Sequence, residues 1–118
     1  MLSLFLTVLL TLLFLHALAD YPLQGDFLAK AKNRHAPIPG VPWWQAMFAH
    51  TMIHAGFVFM ATGSIALALA EMVVHWVVDD NKCSGQLSFN QDQAIHVLCK
   101  VFWAVAFVAS ATAGVPLP

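Results

Sequence analysis

The side chains in this sequence that could do chemistry are histidines, carboxylates and one lysine that recur at intervals of four residues. They are His16 with Asp20, His50 with His54, Glu71 with His75 and Asp79, and Asp92 with His96 and Lys100. Residues four apart lie on the same face of an α-helix, one turn above the other. Imidazole and carboxylate groups together are ligands that zinc, manganese and iron prefer. The spacing therefore predicts a functional site built on helices.

The residue types in this pattern predict two roles. We expect a divalent metal, zinc or manganese, to be bound by His16, His54, His75, Asp79, Asp92 and His96. Such an ion lowers the pKa of a bound water toward about 7, and Asp20 or Glu71 is the expected acceptor of that water's proton. Glu71 and Asp79 are eight residues apart, or about 12 Å along a helix, so they are not expected to share one ion.

The composition indicates a membrane protein. The chain of 118 residues is 60% hydrophobic and 9% charged, whereas a soluble domain carries roughly 25% charged residues. A formal net charge of -1 supplies no electrostatic field for nucleic acid. Cys83 and Cys99 lack the spacing of a zinc ribbon or a disulfide framework. We therefore expect a single membrane domain over residues 1–118.

The apolar segments predict an all-α, polytopic membrane protein with a bundle of four transmembrane helices. Residues 2–19 and 94–114 each match the length of about 20 apolar residues that a span needs. The tract over residues 43–78 would be roughly 54 Å long as one helix, so it must fold back, and Gly63 offers the turn. The predicted spans are residues 2–19, 44–61, 64–79 and 94–114.

Basic residues predict the orientation. The loops over residues 20–43 and 80–93 carry Lys30, Lys32, Arg34 and Lys82, and Lys and Arg bias a loop toward the cytoplasm. Both termini are then exterior. No Lys or Arg precedes the first apolar run, as it would in a secretory signal peptide, so we expect the first span to be retained.

This topology places all the spaced residues at the cytoplasmic ends of their spans. A charged side chain at a membrane helix centre costs about 2.5 to 3.5 kcal/mol, so we expect the polar faces to meet. Counting inward predicts three layers: Asp20, Asp79 and Asp92, then His16, His50, His75 and His96, then His54, Glu71 and Lys100. Glu71 and Lys100 are predicted to form an ion pair. A single polar residue of this kind usually does no more than hydrogen-bond to a neighbouring helix. Here ten such residues occur at matching depths on four helices, and this match favours a functional site.

Four stretches in a fixed order resemble a known family. "HALADYPLQGDFLAKAK", "HTMIH", "EMVVHWVVDDNK" and "DQAIH" resemble the motifs of the family catalogued as domain of unknown function 3307, small integral membrane proteins of bacteria and their phages. The resemblance covers residues 9 to about 105. It implies a multi-pass protein of the bacterial inner membrane and supplies no activity. The positions it carries over are His16, Asp20, Gln24, Lys30, His54, His75, Asp79, Lys82, Asp92, Gln93 and His96.

Two hypotheses of function stay open. One is a metal-dependent membrane hydrolase that acts on a lipid-like substrate, with Lys30 or Lys82 attracting an anionic headgroup. A distant likeness to inner-membrane metal-dependent hydrolases supports it by analogy alone. The other is a non-enzymatic protein, either a proton or ion conductor or a phage factor that binds a host membrane protein. Membrane lipids or a membrane protein are the expected partners, and nucleic acid is not.

Overall fold

Helices make up all the regular structure of this chain. The computed structural model describes residues 1–118, and it contains no strand, which confirms the all-α prediction. The helices are α1 (Leu2–Leu18), α2 (Gly25–Ala31), α3 (Trp43–Thr62), α4 (Ile65–Cys83) and α5 (Phe89–Ala113). A π-helical turn, Ala19–Leu23, continues α1.

The ends of the long helices follow from local sequence. α3 ends at Gly63, which adopts a left-handed conformation at φ 69°, and Ser64 then accepts a hydrogen bond from the amide of Leu67 at the start of α4. The predicted hairpin break is therefore confirmed. α5 begins with a capping box in which Ser88 and Gln91 satisfy each other's backbone amides, as such boxes do at helix starts.

The four long helices pack as a bundle. α1 lies against α3 and α5, and α4 also lies against α3 and α5. We call the end of the bundle that carries the α1 to α3 and α4 to α5 connections the loop end. Away from the loop end, the core is apolar and consists of Val8, Leu12, Val58, Leu67, Trp103 and Ala104.

Two segments are long and apolar enough to cross a membrane. They are Leu2–Leu23 and Phe89–Ala113. α4 does not reach that standard because it carries four charged residues. The outward face of α4 is nevertheless apolar, since Ile65, Leu69, Val73 and Val77 are exposed. This is the reverse of a surface helix in a soluble protein, which exposes its polar face.

The segment between α2 and α3 is tied to the end of α4. Arg34 donates two hydrogen bonds of 2.7 Å to the carboxylate of Asp80, and these bonds raise the pKa of the Arg34 guanidinium. The ring of His35 lies 3.3 Å from the same carboxylate. The contacts hold this segment over the loop end of the bundle.

Replacing Gly63 with alanine is expected to destabilise the fold. The left-handed conformation at Gly63 disfavours a Cβ atom, at a cost of roughly 1 to 2 kcal/mol. Gly56 is the matched control because it lies inside α3 and an added Cβ there meets nothing within 4 Å. Gly56→Ala should stabilise the helix by roughly 0.5 to 1 kcal/mol. Unfolding in mixed detergent micelles measures both, and equal effects of the two substitutions would contradict the assignment of the turn.

Candidate metal centre

Each long helix contributes polar side chains to one buried cluster toward the loop end. His16 comes from α1 and Asp20 from the π-helical turn that follows it. The others are His50 and His54 on α3, Glu71, His75 and Asp79 on α4, and Asp92, His96 and Lys100 on α5. The side chain of Asp20 is 7% exposed, and the other nine residues are buried. The predicted convergence of the spaced residues is confirmed.

Four of these side chains form what we call the inner group. Asp20, His50, His54 and His75 each offer a ligand atom, and these atoms all lie within 4.8 Å of one another. Asp20 Oδ1 lies 2.9 Å from His54 Nε2 and 3.4 Å from His50 Nε2. Ligand atoms bound to one ion at about 2.0 to 2.2 Å are separated from each other by about 3 to 3.5 Å. The inner group therefore has the dimensions of a site for one metal ion.

A second set of potential ligands adjoins the inner group. His75, Asp79 and His96 also place ligand atoms within 4.8 Å of one another. Asp79 Oδ1 lies 3.7 Å from His75 Nε2 and 3.2 Å from His96 Nε2. His75 belongs to both sets, but its Nε2 can bind only one ion because a neutral imidazole nitrogen offers one lone pair.

The orientation of His75 is fixed from its other side. Its Nδ1 lies 3.1 Å from Glu71 Oε1, and Glu71 also accepts hydrogen bonds from Lys100 Nζ at 2.5 Å and from Trp103 Nε1 at 2.6 Å. The predicted ion pair of Glu71 and Lys100 is confirmed. A carboxylate beside Nδ1 holds the proton there and leaves Nε2 unprotonated, as in histidines that bind metals.

Polar side chains also hold the aspartates in place. Asp20 Oδ2 accepts a hydrogen bond of 2.8 Å from Gln93 Nε2, while His16 Nε2 lies 3.5 Å from the same oxygen. Asp79 Oδ2 accepts a hydrogen bond from Lys32, which also donates to Gln24. Asp20 Oδ1 thus faces His50 and His54, whereas Asp79 presents Oδ1 to His96 and Oδ2 to His50.

The layer predicted for Asp20 is wrong. Asp20 was placed in the outermost layer and His54 in the deepest, yet the two are hydrogen-bonded. The reason lies in the end of the first helix, which does not stop at residue 19 but continues through the π-helical turn to Leu23. Asp20 therefore stays on the helix, one turn beyond His16, and lies in the inner group instead of in a loop.

The structure sorts the predicted site residues. Among the predicted ligands, His54, His75, Asp79 and His96 lie in the two ligand sets, together with Asp20, which was predicted as a proton acceptor. His16 and Asp92 lie beside these sets, and the roles predicted for all of these residues remain predictions.

The ligand prediction omitted His50, although its spacing from His54 is the same signal. Trp103 follows Lys100 by three residues on the same helix face and could have been found, whereas Lys32 had no periodic signal.

The charges of the cluster leave room for a divalent cation. Four carboxylates, those of Asp20, Glu71, Asp79 and Asp92, meet two buried ammonium groups, those of Lys32 and Lys100. Lys82 Nζ also lies 4.0 Å from Asp92 Oδ2, so with neutral histidines the four carboxylates exceed these three lysines by one negative charge. Burying unpaired charge is costly, and a bound cation would supply the missing positive charge. The donor set of imidazole and carboxylate also fits zinc or manganese.

The contact between Glu71 and Lys100 can be tested through stability. Lys100→Met leaves a buried carboxylate without its counter-charge and should lower the free energy of unfolding by about 3 to 5 kcal/mol. Adding Glu71→Gln to that variant should recover most of the loss, because no charge is then left unpaired. The measurement is equilibrium unfolding in detergent micelles.

A matched control for this test is Lys30→Met, which alters an exposed lysine of α2 and should change stability by less than about 0.5 kcal/mol. A Lys100→Met protein as stable as this control would show that the Glu71 charge is balanced elsewhere.

The resemblance of this chain to a known family is confirmed over most of its length. It belongs to the family described as protein of unknown function (DUF3307), whose model matches residues 8–115. No curated protein and no solved structure matches the chain. The family description names no activity, so only the buried cluster indicates what reaction or ligand the chain could support.

Proposed function

We propose that this chain is a four-span protein of the bacterial inner membrane that holds a divalent metal ion, zinc or manganese, in its inner group. We further propose that the ion serves a hydrolytic reaction on a lipid-like substrate at the cytoplasmic face. The observation that carries the proposal is the convergence of Asp20, His50, His54 and His75, whose ligand atoms lie within 4.8 Å of one another.

The distribution of exposed side chains supports four spans. α3 has 20 residues and is about 30 Å long, which matches the hydrocarbon core of a bilayer. Like α4, α3 and α5 expose large apolar side chains, while the histidines and charged residues of these two helices are buried. The exposed side chains are Phe48, Met52, Phe59 and Met60 on α3, and Leu98, Phe102 and Val105 on α5. Basic residues at the loop end favour a cytoplasmic location for that end, with both termini exterior.

The preset orientation of His75 supports metal binding over a purely structural network. A hydrogen-bonded histidine in a structural network can take either tautomer, but Glu71 holds the proton of His75 on Nδ1. Nε2 then presents a lone pair to the inner group, 3.1 Å from His50 Nε2. Two imidazole nitrogens at this distance need a cation or a proton between them.

The proposed chemistry is hydrolysis by an activated water. When bound, a divalent ion lowers the pKa of its water toward about 7, and a nearby carboxylate can take the proton. Of the two predicted acceptors, Asp20 lies in the inner group. Both oxygens of Glu71 are occupied by His75, Lys100 and Trp103, which favours a positioning role for Glu71. Lys30 is exposed and Lys82 partly exposed, so both can meet an anionic headgroup.

Proton conduction is a second candidate function. Two observations favour it: no cavity leads to the buried cluster, and the imidazole rings of the cluster are stacked. The cavities of the structure are lined by apolar residues or lie at the opposite end of the bundle, so none reaches the cluster. The ring centroids of His54 and His75 are 3.7 Å apart, and those of His75 and His96 are 3.9 Å apart. Adjacent imidazoles in a membrane bundle can pass protons.

Metal analysis of the purified protein tests the main proposal. The wild type, loaded with zinc or manganese and washed, should retain bound metal. His54→Ala and His75→Ala each remove an inner-group ligand and should lower metal affinity by about 10-fold or more. The matched control is His35→Ala, because His35 is exposed and contacts only Asp80 among the acidic residues. Wild-type protein that holds no metal, or equal affinity in all four proteins, would refute the metal site.

Proteoliposomes separate hydrolysis from conduction. The main proposal predicts release of a headgroup or acyl product from phospholipid vesicles that requires added metal and is lost in Asp20→Asn. Conduction predicts instead a proton flux that persists in chelator and disappears in His96→Ala. A metal-independent proton flux without release of a lipid product would refute the hydrolytic proposal in favour of proton conduction.

A further inference from the structure

We propose a second cation site next to the inner group, formed by Asp79, His96 and Asp92. The proposal rests on the metal site proposed above and makes the centre dinuclear. His96 Nε2 lies 3.2 Å from Asp79 Oδ1 and 3.4 Å from Asp92 Oδ1. Each of these two separations is in the range found between ligand atoms that bind one ion with bonds of about 2.0 to 2.2 Å.

Asp92 Oδ1 supplies the observation that points to a ligand. Asp92 is 0% exposed, yet this oxygen has no hydrogen-bond partner. The Nε2 atom of His96 can carry only one proton, and its hydrogen bond is made with Asp79 Oδ1. A buried carboxylate oxygen without a donor is unfavourable. A cation placed between Asp79 Oδ1, His96 Nε2 and Asp92 Oδ1 would satisfy it.

The outer oxygens of both aspartates are already held. Gln93 Nε2 donates a 3.3 Å hydrogen bond to Asp92 Oδ2, and Lys82 Nζ lies 4.0 Å from the same oxygen. Lys32 donates to Asp79 Oδ2. The Oδ1 atoms of the two carboxylates are therefore left facing His96, and Gln93 also donates to Oδ2 of Asp20 in the inner group.

Asp92 completes a ligand set that does not need His75. The single lone pair of His75 Nε2 is assigned to the inner group, which leaves Asp79 and His96 from the adjoining set. With Asp92 they give three protein ligands, the number that leaves a coordination position open for water or substrate. The rings of His75 and His96 are stacked, so the two ions would be neighbours, as in two-metal hydrolytic sites.

Lys32 is expected to compete with the second ion. With one divalent ion already in the inner group, a second ion would add positive charge beside the Lys32 ammonium on Asp79. Lys32 lies at the end of α2, outside the four long helices, and its withdrawal would relieve the repulsion. Removing this ammonium should therefore strengthen binding of the second ion and leave the first largely unchanged.

Titration of the metal-depleted full chain with Mn²⁺ in detergent micelles tests the proposal. The wild type should bind two ions, and their spin coupling should attenuate the electron paramagnetic resonance signal of an isolated ion. Asp92→Asn, which keeps the size of the side chain, should bind one uncoupled ion. Asp80→Asn is the matched control, because Asp80 is the neighbour of Asp79 but pairs with Arg34 outside the cluster, and it should still bind two.

A second variant keeps the test decisive if Asp92→Asn fails to fold. Lys32→Met should tighten binding of the second ion by at least about 10-fold, since it removes a like charge next to the site. One ion in the wild type, with no gain in Lys32→Met, would overturn the second site while the inner-group site stands. No bound ion in the wild type would overturn both sites.

Discussion

The carboxylate of Glu71 is the contact on which the arrangement of the cluster depends. Its oxygens accept hydrogen bonds from Lys100 and Trp103 on α5 and lie against His75 on its own helix. One group therefore joins α4 to α5, balances a buried ammonium and sets the tautomer of His75. The direction of the His75 lone pair, and with it the geometry of the inner group, follows from this contact. A binding site buried in a helix bundle needs such outer support to stay ordered when it is empty.

Polar contacts also explain how apolar helices find one register. In the bilayer location that we propose for this chain, the lipid tails are as apolar as leucine, so burying leucine between helices would bring little gain. The apolar core around Leu12 and Val58 can then supply close packing but little directional information. The hydrogen bond between Asp20 and His54 and the contact between His96 and Asp79 each require one relative position of two helices. The site and the fold thus depend on the same interactions.

Much of this was predictable from sequence because the four-residue spacing is local information. It gave the faces of α3, α4 and α5, and the cost of burying charge then required those faces to meet, as Glu71 and Lys100 do. The contact of Asp20 with His54 was not predictable, since the first helix continues past residue 19 as a π-helical turn that periodicity does not reveal. Lys32 was missed because it follows a short helix, and the path of that segment is set by tertiary contacts such as the one between Arg34 and Asp80.

The nitrogen atoms of His50 and His75 limit what the cluster can hold. Their Nε2 atoms face each other at 3.1 Å, and Glu71 makes His75 Nε2 an acceptor. In the absence of a metal, His50 must therefore donate a proton into this gap, where Asp20 and Asp79 also lie within 3.4 Å and 3.2 Å of His50 Nε2. A divalent ion would replace that proton and bind both lone pairs, with the single proton of neutral His50 then carried on Nδ1. The two hypotheses thus concern the same gap between His50 and His75: in one it holds a metal ion and in the other a proton. Which of the two cations occupies it depends on which one the surrounding carboxylates attract more strongly.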